Sequence, residues 1–202
     1  MTQPHSSAKP VQHSRATLRK ILLEQRRNTD LIQRQQWDAA IGRHLLAWCQ
    51  QHHPASLGVF WPIQAEPDLR STYPLLQQMG IQLALPLVIS KAQPLLFLAW
   101  QPGDAMSTDH HGIPVPAQRE HILQPEVVLI PCLGVNSAQF RLGYGGGFYD
   151  RTLAMLPRPQ AIGIAYHQAQ TEFAAESHDV AMDLILTENN SSLMEADSPD
   201  LI

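Results

Sequence analysis

The chain predicts an α/β fold: a single domain built on a mostly parallel, open β-sheet with helices on both faces. Three observations carry this. Short continuous apolar runs recur along the chain and are closed by proline or glycine, as in strands buried on both faces. Segments of helical periodicity lie between them, and that alternation defines the class. The length of 202 residues, 44% of them apolar and 16% charged, suits one domain at about 150 residues each, with a substantial core of its own.

Residues 1–14 and 189–202 are rich in Ser, Gln, Pro, His, Asn and Asp. Both are read as flexible tails, which leaves 15–188 as the domain. Residues 15–51 carry two helices. Leu18, Ile21 and Leu22 share one face of the first, and Trp37, Ile41, Leu45 and Trp48 recur at helical spacing in the second. Asn28, Thr29 and Asp30 supply the break and the N-cap between them. The apolar run 57–61 is a buried strand closed by Pro62. Residues 68–79 read as a helix stopped at Gly80. A second strand, 81–85, is closed by Pro86, and a third, 95–100, sits in a hairpin. The Pro-, Gly- and His-rich stretch 101–124 reads as irregular. Residues 127–130, before Pro131, make the strongest strand. A helix follows over 148–156, then strands over 161–166 and 184–187.

Charge and cysteine usage narrow the function. Lys plus Arg number 14 against 18 Asp plus Glu, a net charge of −4. That balance argues against nucleic acid as the main partner but leaves room for a local basic site holding a small phosphorylated ligand. Cys49 and Cys132 have neither zinc-like nor disulfide spacing, so a reducing, cytoplasmic setting is the simplest expectation. No apolar run approaches the roughly 18 residues of a membrane span, and the first residues lack the apolar core of a signal peptide.

The chemistry concentrates in Arg141-Leu142-Gly143-Tyr144-Gly145-Gly146-Gly147-Phe148-Tyr149-Asp150-Arg151. This glycine density frees the backbone for positive φ, lets successive N–H groups converge on an anion, and precedes a helix start. The segment lies beyond the carboxyl end of the strongest strand, where ligands of such sheets bind. It is neither a Walker loop nor a dinucleotide fingerprint. The glycines alone fit a phosphate nest and a tight structural turn equally well. Arg141, Arg151 and Asp150 favour the nest: guanidiniums neutralise phosphate oxygens, and a carboxylate beside them can hold Mg²⁺. The plainer alternative for these three is a surface ion pair.

With Ile130-Pro131 before it, this segment resembles the signature of the 5-formyltetrahydrofolate cyclo-ligases, an Arg-Leu-Gly-x-Gly-x-Gly-aromatic-Tyr-Asp run. The likeness extends in order over 15–188, through 61–69, 162–168 and 175–188 with His178-Asp179 and Asp183. It implies ATP-dependent ring closure. The N5-formyl oxygen of the folate attacks the γ-phosphate of MgATP, N10 attacks the phosphorylated carbon, and phosphate leaves to give 5,10-methenyltetrahydrofolate.

The resemblance implies these roles. Arg15, Arg19, Arg141, Leu142, Gly143, Tyr144, Gly145, Gly146, Gly147, Phe148 and Tyr149 would contact ATP. Trp61, Glu66 and the 144–148 stretch would contact the folate, by stacking on the pterin and by accepting its N–H groups. Arg141, Tyr149 and Arg151 would serve catalysis, and Asp150 and Asp183 would hold Mg²⁺. The partners are then 5-formyltetrahydrofolate and ATP, with a monomer expected.

Each residue taken alone has a plainer reading. Arg15 and Arg19 could form a solvated helix face, Trp61 and Tyr149 could be packing rings, Glu66 could be a surface carboxylate, and Asp183 a polar residue between apolar neighbours. Two departures stand out: Arg15 where the family has lysine, and Cys-Leu-Gly-Val-Asn at 132–136 where it has a small-Ala-Phe-Asp-like run. They keep open a non-catalytic folate- or nucleotide-binding protein. An ATP-dependent enzyme on another reduced pterin or a thiamine-related substrate is a further alternative. Cys132 has no nearby His and is read as packing. The His pairs at 52–53 and 110–111 lack metal-like partners and belong on loops or surfaces.

Overall fold

The structure is a computed structural model that describes residues 13–189. The two expected tails lie outside the described residues, apart from His13, Ser14 and Asn189. Ser14 belongs to the fold: its hydroxyl accepts the Thr17 N–H and caps α1 (Arg15–Asn28). Asp30 does the same for α2 (Leu31–His52), accepting from the N–H groups of Ile32 and Gln33. That helix ends at His53 in the left-handed conformation.

The remaining elements, in chain order, are β1 (Ser56–Gly58), α3 (Tyr73–Gln78), β2 (Gln82–Leu87), β3 (Leu96–Trp100), β4 (Met106–Thr108), β5 (Pro114–Pro116), β6 (Val127–Pro131), β7 (Gly134–Val135), β8 (Arg141–Leu142), α4 (Phe148–Leu153), β9 (Gln160–Ile164) and β10 (Leu184–Leu186). The main sheet has the order β10-β9-β6-β1-β2-β3. All its pairings are parallel except the edge pair β2–β3.

Alternation along the strands splits the core between the two faces. Val127 and Leu129 join Ile41, Leu45 and Trp48 of α2 and Tyr73 and Leu76 of α3. Val128 and Ile130 join Leu153 of α4, with Phe97, Ala161 and Met182. Helices therefore cover both faces, as the alternation of runs and helices requires. Leu18 and Leu22 of α1 pack on Leu133, Leu142 and Phe173, against the small antiparallel β7–β8 pair.

Several element limits differ from expectation for local reasons. The helix expected over 68–79 shrinks to α3, because Pro74 fits its first turn but would lack a donor and clash within a longer helix. The strand expected to stop at Pro86 runs on to Leu87, with Pro86 opposite Phe97 of β3. Its other neighbour, β1, already ends at Gly58 opposite Ala84, so no strand on that side asks for a proline N–H. The strand expected over 57–61 is the shorter β1, and that over 161–166 ends at Ile164, before a single 3₁₀ turn at His167–Ala169. The helix expected to reach 156 ends at Leu153. The stretch read as irregular, 101–124, contains the β4–β5 hairpin. No described helix is long and apolar enough to cross a membrane.

The 132–136 departure is structurally integrated. Asn136 Oδ1 accepts the N–H groups of Ala138 at 3.1 Å and Phe140 at 2.9 Å. This closes the β7–β8 turn that delivers Arg141 and the glycine segment.

Candidate active site

A cleft of about 710 Å³ opens beyond the carboxyl ends of β1, β2 and β6, where ligands of parallel sheets bind. One wall is the glycine segment with α1. Gly145 (φ +92°) and Gly147 (φ +66°) occupy the region closed to most side chains. Arg19 Nε donates to the Gly143 carbonyl at 2.8 Å, and its guanidinium carbon lies 3.6 Å from where a Gly145 Cβ would stand. Arg141, on β8, is 7% exposed. Its Nη2 lies 2.7 Å from Asp150 Oδ2, its guanidinium sits 5.6 Å from the centre of the Tyr149 ring, and its buried Nε meets no acceptor among the described residues. Burial pushes the Tyr149 phenol well above its ordinary pKa, so its hydroxyl keeps its proton at neutral pH.

Arg15 lies at the rim, one helical turn from Arg19, but it is engaged by carboxylates. Its Nη1 and Nη2 donate to Asp179 at 2.6 and 3.3 Å, and Glu176 is 3.4 Å away. Burial works against the Asp179 charge, yet the bonds from Arg15 and from the Glu176 N–H hold its pKa below the usual carboxylate range. A triphosphate contact at Arg15 would be shared with Asp179.

The opposite wall follows β1. Trp61 is half-buried, meets Trp100 edge-on at 6.3 Å, and has the Arg70 guanidinium 5.1 Å from its ring centre. Glu66 is 4% exposed. Burial pushes its carboxyl up to about 6, against the Ile63 N–H, the Arg26 charge and the Tyr144 hydroxyl, which favour ionisation. Tyr144 reaches across from the glycine segment and donates to Glu66 Oε1 at 3.0 Å. Gly146, Phe148, Pro131, His111 and Pro114 also line the cleft.

Three anticipated site residues are not in this cleft. Leu142 is fully buried in the apolar cluster beneath α1. Arg151 turns to backbone carbonyls, donating to Lys91 at 2.7 Å, Gln93 at 3.2 Å and Gly146 at 2.8 Å. It thereby ties the glycine segment to the chain entering β3. Asp183 sits at the amino ends of the strands, the far end of the sheet. It accepts the Ala161 N–H at 2.7 Å and pairs with Arg158 at 2.9 Å. A metal shared by Asp150 and Asp183 therefore does not fit. No described group of three or more His, Cys, Asp or Glu could hold an ion unaided. Asp150 does line the cleft beside the glycine segment, which suits Mg²⁺ held by one carboxylate, phosphate oxygens and water.

Arg26 is not among the residues the sequence singles out, and Asp179 enters there only within the family resemblance, with no role assigned. Arg26 was legible: 15, 19, 22 and 26 share one face of a helix, so a third arginine follows the first two toward the cleft. Asp179 lies in a segment without periodicity, and only folding brings it to Arg15.

The fold and the site define an α/β enzyme whose glycine-rich, arginine-flanked loop faces an acidic and aromatic wall across one cleft. The chain belongs to the 5-formyltetrahydrofolate cyclo-ligase family, whose model matches residues 11–188. It is 32% identical over 136 residues to a 5-formyltetrahydrofolate cyclo-ligase of Mycolicibacterium smegmatis, covering 62% of this chain and 70% of that protein. It is 46% identical over 66 residues to the one of Mycoplasma pneumoniae, covering 32% of this chain and 40% of that protein. Its fold matches a solved 5,10-methenyltetrahydrofolate synthetase of Mycoplasma pneumoniae with a TM-score of 0.73 and 25% identity, over 87% of this chain and 99% of that one.

Proposed function

We propose that this protein closes the ring of 5-formyltetrahydrofolate to 5,10-methenyltetrahydrofolate at the expense of ATP. One observation supports the reading: a single cleft is lined on one side by Arg19, Arg141 and the 143–147 backbone, chemistry suited to a polyphosphate, and on the other by Trp61 and Glu66, chemistry suited to a pterin. The reaction needs those two ligands end to end, since the formyl oxygen of one attacks the γ-phosphorus of the other.

Phosphoryl transfer is mainly positioning and charge neutralisation. Arg19 and Arg141 draw the triphosphate against the glycine backbone, whose N–H groups orient it. Asp150 would hold Mg²⁺, which supplies charge neutralisation at the phosphates when bound. Ionised Glu66 accepts the pterin N–H groups as a fork, and Trp61 stacks on the ring. That alignment leaves the N5-formyl group toward the phosphates. The formyl oxygen bonds to phosphorus as ADP departs. N10 then attacks the activated carbon, the C–O bond breaks, and phosphate leaves with the former formyl oxygen while N10 loses its proton. Tyr149, protonated and against Arg141, helps close this end of the cleft to water. The two free, buried cysteines are compatible with a reducing cytoplasm, where the protein would act as a monomer.

The isotope test is direct. With oxygen-18 in the formyl group, the label should appear in inorganic phosphate, one per ADP formed. Label released as water, or product formed without ADP, would overturn the mechanism.

A further inference from the structure

We propose that Arg26 is a positioning residue that holds Glu66 in its pterin-recognising geometry and joins the folate-side loop to the glycine segment. Its guanidinium, 5% exposed, donates from Nε to the Gln64 carbonyl at 3.2 Å and from Nη2 to the Tyr144 hydroxyl. The same tyrosine donates to Glu66 Oε1, while Ile63 N–H holds Oε2 at 2.9 Å. Gln64 and Ala65 both take positive φ, 49° and 59°, a backbone that persists only when its surroundings fix it. The Arg26 bond to the carbonyl within that turn is such a restraint. A single side chain of α1 thus holds three points: the strained turn, the carboxylate it presents, and the loop on the opposite wall.

The electrostatics agree with the geometry. Arg26 is the cation whose charge favours ionised Glu66. The other titratable groups that sense Glu66 are Tyr144, Tyr149, Tyr73 and Cys132, all with pKa values raised by burial and so neutral between pH 5 and 8. Without Arg26, little remains to offset the burial of that carboxylate except Ile63 N–H and Tyr144, and the latter loses its own anchor.

This inference rests on the folate reading of the cleft, and the test separates the two. Initial rates of wild type, R26Q, R26K and Y144F are measured from pH 5 to 8.5 with 5-formyltetrahydrofolate and MgATP. For R26Q, the folate KM should rise about tenfold at pH 7, with kcat and the ATP KM changing much less. The pH below which folate KM climbs should move up by about one unit, the usual scale for losing an opposite charge. R26K should restore most of the pH shift, because it keeps the charge, but not all of the KM. Y144F, which breaks the bridge and keeps the cation, should raise folate KM with a smaller pH shift, and it carries the test if R26Q does not fold. A uniform loss in kcat and both KM values, with an unmoved pH profile, would make Arg26 merely structural and overturn the proposal. A folded wild type with no cyclisation at all would remove the folate reading, and this inference with it.

Discussion

Glu66 and Asp150 are the residues on which the chemistry is most exposed to test. A carboxyl raised by burial to about 6 binds more protons folded than unfolded between its ordinary value and 6, so the fold loses stability as pH rises through that window. The contribution is about 2 kcal/mol at one pKa unit per 1.36 kcal/mol. Urea unfolding of wild type at pH 4.5 and pH 7 should show this component, and Glu66→Gln should remove it. On the proposed reading folate affinity should have the opposite sign, improving as Glu66 ionises above pH 6, and Glu66→Gln should weaken it and flatten its pH dependence. An unchanged pH dependence of binding would take Glu66 off the pterin. Asp150→Asn should leave the fold intact, since Asn can still accept from Arg141. Turnover at limiting Mg²⁺ should fall about tenfold or more, because a bound metal is worth several kcal/mol to developing charge. Unaltered Mg²⁺ titration curves would remove Asp150 from that role. At this scale the sequence was only partly legible. Trp61, Glu66, Arg19 and Arg141 line the cleft, but Asp183 does not, because Arg158 and the Ala161 N–H hold it at the other end of the sheet.

Among the elements, the glycine segment sets the close approach of α1 to the cleft. Gly145→Val would put a β-branched side chain at φ +92°, against the Arg19 guanidinium, a strain of about 1–3 kcal/mol. Calorimetry should find ATP binding weakened by tenfold or more, and normal ATP affinity would place the phosphates elsewhere. Arg151→Met separates two roles. Its bonds to the Lys91, Gln93 and Gly146 carbonyls mean that its loss should speed hydrogen exchange around residues 91–95 and 145–148. A fall in kcat with exchange unchanged would restore a direct catalytic contact. The helices, caps and buried strands were legible because propensity, periodicity and capping agree there, as at Asp30 and along 127–130. Element limits failed where a neighbour decides them. Pro86 continues a strand only because β1 ends early beside it, and the β4–β5 hairpin has no strong apolar alternation to announce it.

For the whole molecule, the parallel order and the short β7–β8 turn bring sequence-distant walls to one end of the sheet. Arg26 and Tyr144, 118 residues apart, meet there, and no local pattern shows such a pairing. If both ligands bind this one cleft, ATP and 5-formyltetrahydrofolate should each raise the unfolding midpoint, by about 2.7 kcal/mol of stabilisation at a hundredfold excess over Kd. The product complex should exceed either alone. Additional salt should weaken the ATP effect more than the folate effect if, as proposed, guanidiniums bind the triphosphate. The central claim, that this cleft couples ATP to folate ring closure, is tested most directly by absorbance. The purified protein is mixed with 5-formyltetrahydrofolate, ATP and Mg²⁺, and the long-wavelength band of the methenyl product is followed. A signal that rises only when ATP and Mg²⁺ are both present is the predicted result. A folded protein that gives no signal, or one that cyclises fully without ATP, would contradict it.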